Sequence, residues 1–249
     1  MKHNIPAVRC ILLTLNVAIS FCLPRPSRAA EPAAAPAVVF EDNFEKGADH
    51  WQPGNPAVWK VIDTPKGKAY SLFEKDPKFK TAHRSPFTYS LVKDIKVGDF
   101  VLEVDANSTV AEYAHRDLCL FFGFQDPDHY YYVHMASKTD DHANQIFIVN
   151  GKDREKISKE TTAGTNWTDT YHHIRIIRVA SVGLIQVYFD DMKKPIMVAV
   201  DKTFGAGQVG VGSFDDTGDF RNFKLSKLVA VEGKITDDDV FIDKTPSSK

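Results

Sequence analysis

From Val38 onward the chain is written in short apolar runs that alternate with polar residues, and each run ends in a turn signal. A two-residue period puts one face of a run against a core, so the pattern predicts β-strands rather than helices. About twelve runs stand out: 57–63, 68–73, 87–95, 100–107, 118–124, 130–137, 144–149, 172–179, 184–190, 196–200, 208–214 and 220–228. Between them, Asn150-Gly151 and Gly183 admit positive φ, while Asp126-Pro127-Asp128 fixes φ and supplies side-chain turn bonds. No amphipathic helix of three turns and no repeat of 20–50 residues interrupts the series, which excludes solenoids and propellers. The expected fold is therefore all-β: a two-sheet antiparallel β-sandwich over residues 38–228.

The flanks read differently. Lys2 and Arg9 precede an apolar run at 11–23, and Ser27-Arg28-Ala29 places small residues where a signal peptidase reads. The run is shorter than the roughly 20 residues a bilayer span needs. Residues 1–29 are thus expected to be a cleaved export signal, 30–37 a Pro/Ala linker and 229–249 a polar tail, with a periplasmic or extracellular destination. Cleavage changes the composition. The full 249 residues carry 31 basic and 33 acidic side chains, for a net charge of −2; losing Lys2, Arg9, Arg25 and Arg28 takes this to −6. Cys10 and Cys22 leave too, and a lone Cys119 forms no internal disulfide, so stability rests on the core. The acidic balance argues against nucleic acid and against an anionic membrane surface as partners. It leaves neutral sugars, small molecules and divalent cations.

Candidate chemistry concentrates in 117–149. A turn over 125–129 with Phe124 opposite Tyr130 would set Phe122 against Tyr132, Leu120 against His134 and Leu118 against Ala136. Cys119, Phe121, Tyr131, Val133 and Met135 would then share the other face. Both faces are apolar or aromatic, so the pair should be central and covered on both sides. Aromatic rings beside acids and imidazoles suit sugars, whose C–H faces stack on rings and whose hydroxyls need polar partners. Tyr130, Tyr132, His134, His129, Asp141 and Asn144 are the candidate ligand-binding residues, against the plainer reading that they are ordinary strand residues. If the chain is an enzyme, His134 or His142 would move the proton, with Tyr132 and Arg116 assisting. The histidine spacings match no usual zinc pattern, so no metal ligand is assigned. Structural calcium is open at the Asp-rich turns Asp126/Asp128, Asp140/Asp141, Asp190/Asp191 and Asp215/Asp216/Asp219. Cys119, inside an apolar strand, should behave as a small hydrophobe.

The opening Val38 to Phe44 followed by Trp51, the middle Phe100-Val-Leu-Glu-Val-Asp105, and the closing Gly207 to Phe214 with Phe220-Arg-Asn-Phe223 resemble the concanavalin A-like lectin/glucanase jelly rolls. They are especially similar to exported 3-keto-disaccharide hydrolase-type and laminin G-like members. The resemblance implies the jelly-roll fold and carbohydrate as ligand class. It carries over no catalytic set: Glu103 and Asp105 lack the third acid of the glucanase strand, and Gln145-Ile146 is followed by Phe147 where the alginate-lyase strand has histidine. Three readings follow from the sequence, namely a carbohydrate-binding module, a glycoside-cleaving hydrolase or lyase, and a laminin G-like adhesion module.

Overall fold

The computed structural model describes residues 37–75, 80–86 and 88–228; the expected signal, nearly all of the linker and the tail fall outside them. Sixteen strands follow in order: β1 (Val38–Asp42), β2 (Trp51–Pro53), β3 (Trp59–Thr64), β4 (Gly67–Leu72), β5 (Thr88–Val92), β6 (Phe100–Ser108), β7 (Asp117–Asp126) and β8 (His129–Ala136) come first. Then come β9 (Gln145–Asn150), β10 (Glu155–Lys156), β11 (Ser158–Thr161), β12 (His172–Val179), β13 (Leu184–Phe189), β14 (Met197–Val200), β15 (Gln208–Ser213) and β16 (Gly218–Lys227). All twelve expected runs are strands; β1, β2, β10 and β11 are short additions.

The strands form two antiparallel sheets packed as a sandwich. One runs β11-β14-β13-β12-β6-β16-β4-β3, with β1 also on β16; the other runs β10-β9-β8-β7-β15-β5-β2. The last two strands insert between earlier ones, β15 between β7 and β5 and β16 between β6 and β4. The corner joining β15 to β16 therefore passes from one sheet to the other and carries Phe214, Asp215 and Asp216.

In the first sheet, β6 alternates strictly, with Phe100, Leu102, Val104 and Ala106 buried and Val101, Glu103 and Asp105 turned the other way. In the second sheet, β7, β8 and β9 are buried almost continuously. Leu118, Leu120, Phe122, Tyr131, Val133 and Met135 belong to the inter-sheet core. Cys119, Phe121, Phe124, Tyr130, Tyr132, Phe147 and Val149 form a second apolar cluster with Leu91. The expectation of a central pair covered on both sides holds.

Its expected register does not. Phe122 pairs with Tyr131, Leu120 with Val133, Leu118 with Met135 and Asp117 with Ala136, one residue from the expected alignment. The chain turns tightly at Pro127-Asp128, since Asp126 pairs with His129, and the register shifts between there and Phe122. Gly123, at φ +57, sits inside this irregular stretch. Tyr130, Tyr132 and His134 consequently lie on the side of Cys119 and Phe121, not on that of Leu118, Leu120 and Phe122.

Candidate functional site

The chemistry gathers where the start of β7, the end of β8 and the β15–β16 corner meet. Asp117 opens β7 with no exposed surface. Its carboxylate accepts from the Phe214 main-chain N–H at 3.0 Å, from Ser213 Oγ at 3.2 Å and from Cys119 Sγ at 3.4 Å. Asp216, equally buried, accepts from the Asp117 N–H at 3.0 Å and from the Tyr113 hydroxyl at 2.7 Å, and pairs with Lys75 Nζ at 3.0 Å. Asp215 reaches solvent on one side, yet neighbouring atoms desolvate its carboxyl and Asp117 and Asp216 repel its charge, so its pKa is raised. Burial and then Asp117 push the Cys119 thiol well up.

His134 is 3% exposed at the end of β8. Its Nδ1 lies 3.0 Å from the His142 carbonyl, which can only accept, so Nδ1 carries the proton. Its Nε2 lies 3.2 Å from Asp117 Oδ2, off the line of a hydrogen bond and without another partner. Above it opens a cleft of about 150 Å³. Arg84, Tyr113, His115, His142, Arg154, Phe214 and Asp215 line that cleft with His134. Arg154 is fixed in place: it donates to the Tyr132 hydroxyl and to the His142 carbonyl, each at 2.8 Å, and lies over the rings of Phe147 and Phe214 at 4.6 and 4.2 Å.

The structure thus brings His134 and His142 into one cleft, with Tyr132 beneath it. Other candidates fall elsewhere. Tyr130 and Tyr132 are fully buried rings, stacked on Phe124 and Phe147 at 5.0 and 5.2 Å. The laminin G-like reading is left without the exposed aromatic patch it asks of this hairpin. His129 stands at the hairpin tip, paired with Asp126 at 2.8 Å, five residues and about 17 Å along β8 from His134. Asp141 is exposed and pairs with Lys156 at 2.6 Å. Asn144 is fully buried, its amide shared among Thr139, Thr161, Thr162 and Thr165. Arg116, 3% exposed, clamps loops together through Ser108 and the Thr168 carbonyl and borders a separate cleft of about 770 Å³. Among the Asp-rich turns, Asp190 is engaged by His172 at 2.7 Å, and Asp219 lies apart from Asp215 and Asp216 against Ser71.

Arg84, Tyr113, His115 and Arg154 were not foreseen. They come from three loops with no periodicity, Tyr113 and His115 sharing the one between β6 and β7, so no local pattern marks them. A second polar array lies on the first sheet, where Glu103 accepts from Arg175 at 2.7 and 3.0 Å and Asp105 meets His173 at 2.9 Å and Asn222 at 2.7 Å.

Known structures share the sandwich. A carbohydrate binding module, CBM66 from Bacillus subtilis, aligns over 72% of this chain and 96% of its own, at 19% identity and a TM-score of 0.51. The cellulose induced protein Cip1 aligns over 76% and 97%, at 11% identity and 0.51. The GH43 protein BlXynB from Bacillus licheniformis aligns over 76% of this chain but 39% of its own, at 12% identity and 0.52. No family model matches the chain, and no curated protein matches it. Likeness at these identities establishes the β-sandwich fold alone.

Proposed function

We propose that this chain is an exported, periplasmic or extracellular, carbohydrate-binding β-sandwich whose ligand site is the cleft beside His134. The observation that carries the reading is convergence: His134, His142, His115, Arg84, Arg154, Tyr113 and Asp215, drawn from separate parts of the chain, meet around one cleft with the ring of Phe214. Guanidinium and imidazole nitrogens donate to hydroxyls, Asp215 accepts, and the ring offers an apolar face for sugar C–H groups. The carbohydrate-binding module among the fold neighbours is consistent with this class of ligand. At about 150 Å³ the cleft is below the roughly 300–1,000 Å³ of sites for drug-sized ligands, which suits one sugar unit rather than a long chain.

A glycoside-cleaving activity of the 3-keto-disaccharide hydrolase type is the second reading. Three imidazoles and a carboxyl in one cleft favour it, because such groups can exchange a proton with a glycosidic oxygen. One experiment separates the two: immobilised polysaccharides and free disaccharides, native and 3-oxidised, are scored for retention and for product. Retention without product, at least tenfold weaker in the exposed variant His142→Ala, supports the binder. Product formation abolished in Asp215→Asn, with retention kept, supports the enzyme. Neither retention nor product on any glycan overturns both.

A further inference from the structure

Beneath the cleft, Asp117, Cys119 and His134 each offer one ligand-type atom, all three atoms lying within 4.8 Å of one another. We propose that these three side chains form a buried binding site for one zinc-class divalent cation. The proposal is independent of any sugar.

His134 carries an orphaned imidazole nitrogen. Because Nδ1 of His134 donates to the His142 carbonyl, a neutral ring has its lone pair on Nε2. That lone pair is aimed off the line to Asp117 Oδ2, 3.2 Å away, and meets no donor, inside a site where His134 is 3% exposed and Asp117 not at all. Nε2 makes no hydrogen bond. Two acceptors this close in a buried site call for a cation bound to both.

With metal–nitrogen and metal–oxygen bonds of about 2.0–2.2 Å and a metal–sulfur bond of about 2.3 Å, the edges of a tetrahedron measure roughly 3.3–3.6 Å. The Nε2 to Oδ2 separation is 3.2 Å and the Sγ to Oδ2 separation 3.4 Å. Two of the three edges thus stand near the zinc spacing before any metal arrives, and the third is no longer than 4.8 Å. A carboxylate oxygen of Asp215 lies within 4.8 Å of one of Asp117, close enough to supply or to orient a fourth ligand.

Metal-bound histidines commonly donate their other nitrogen to a carbonyl, and ligating carboxylates are themselves hydrogen-bonded. His134 does the first with His142; Asp117 does the second with Ser213 and the Phe214 N–H. Thiol and imidazole beside one carboxylate select zinc over calcium or magnesium, which take oxygen ligands. On binding, the S–H bond of Cys119 gives way to an S–metal bond and its proton leaves to buffer, so occupancy rises with pH.

The test uses the full chain with Cys10→Ser and Cys22→Ser, so that Cys119 is the sole thiol, stripped with chelator and titrated with Co²⁺ and then Zn²⁺. The expected result is one metal per chain and a thiolate-to-cobalt charge-transfer band that Zn²⁺ abolishes. The band should vanish in Cys119→Ser, binding should weaken at least tenfold in His134→Gln, and both should survive in His115→Ala/His142→Ala. Unfolding midpoints of the metal-free variants, compared with the parent, separate loss of ligand from loss of fold. No stoichiometric binding by the parent overturns the proposal, leaving a proton between His134 and Asp117. Binding without the band, or binding that disappears with His115 and His142 but not with Cys119, overturns it as well.

Discussion

Asn144 has φ +54, no exposed surface, and an amide that donates to Thr139 Oγ1 at 2.7 Å while accepting from Thr165 Oγ1 at 2.7 Å. Asparagine is among the few side chains that tolerate this backbone and can also bond locally. Asn144→Ala should cost about 2–4 kcal/mol in urea unfolding, through stranded threonine hydroxyls and left-handed strain. Asn144→Gly, which relieves only the backbone, should recover part of that loss; equal losses would mean the backbone is not the issue. Such roles were not legible in the sequence, where Asn144 looks like any polar residue beside aromatic ones. His173 supports a pH prediction. Asp105 first, then Glu103, raise its pKa; burial alone would raise the two acids, but His173 with Arg175 and Asn222 holds them below their usual range. A raised imidazole stabilises fully below its unfolded value near 6.5 and ceases to as pH climbs through its folded one. The depressed carboxylates stabilise above their unfolded values of 4.5 and 3.8 and stop as pH falls through their folded ones. The difference in thermal midpoint between wild type and His173→Gln should therefore be largest between about pH 4.5 and 6.5 and shrink toward pH 8. A gap that widens toward pH 8 would show that the array does not act through charge.

Strands are the elements that sequence period reveals best, because alternation such as Phe100 to Asn107 on β6 is enforced by burial of one face. Register is not so enforced on β7 and β8, whose two faces are both apolar, so a one-residue shift leaves the pattern looking the same. The bulge containing Gly123 decided it, and nothing in the flanking residues announced that bulge. The glycines of β15 have a different cause. A Cβ on Gly212 would stand 2.2 Å from the Thr88 carbonyl oxygen and 3.0 Å from the Phe121 ring, so β15 fits between β5 and β7 only with hydrogen there. Gly212→Ala should destabilise by about 1–3 kcal/mol in denaturant unfolding, as overpacking does. Gly205→Ala, which meets no atom within 4 Å, should be near neutral. Similar costs at the two positions would refute the steric account.

On the scale of the molecule, the sandwich sets the proposed site on top of a buried aromatic support. The Tyr130 and Tyr132 rings, legible as aromatic but not as interior, make a floor with Phe121 and Phe147, and Arg154 stands on that floor with its guanidinium at the cleft. Truncating Tyr132 would therefore disturb folding and binding together, about 3–5 kcal/mol for a buried aromatic, whereas exposed His115 and His142 can be changed without touching either core. The site itself was half legible: His134 and His142 lie on the predicted hairpin and the turn after it, but the arginines arrive from loops that only the closed fold brings near. If this small cleft is the sugar site proposed above, its size suits a chain terminus rather than a stretch of chain. Calorimetry with oligosaccharides of one composition and rising length should then show affinity rising to the first or second unit and staying flat within twofold beyond it. Capacity on a polysaccharide should scale with the number of chain ends, doubling when the polymer is cut to half length at constant mass. Affinity that keeps climbing with each added unit would move recognition to an extended surface, for which the polar array of Glu103, Asp105, His173 and Arg175 on the first sheet is the alternative location.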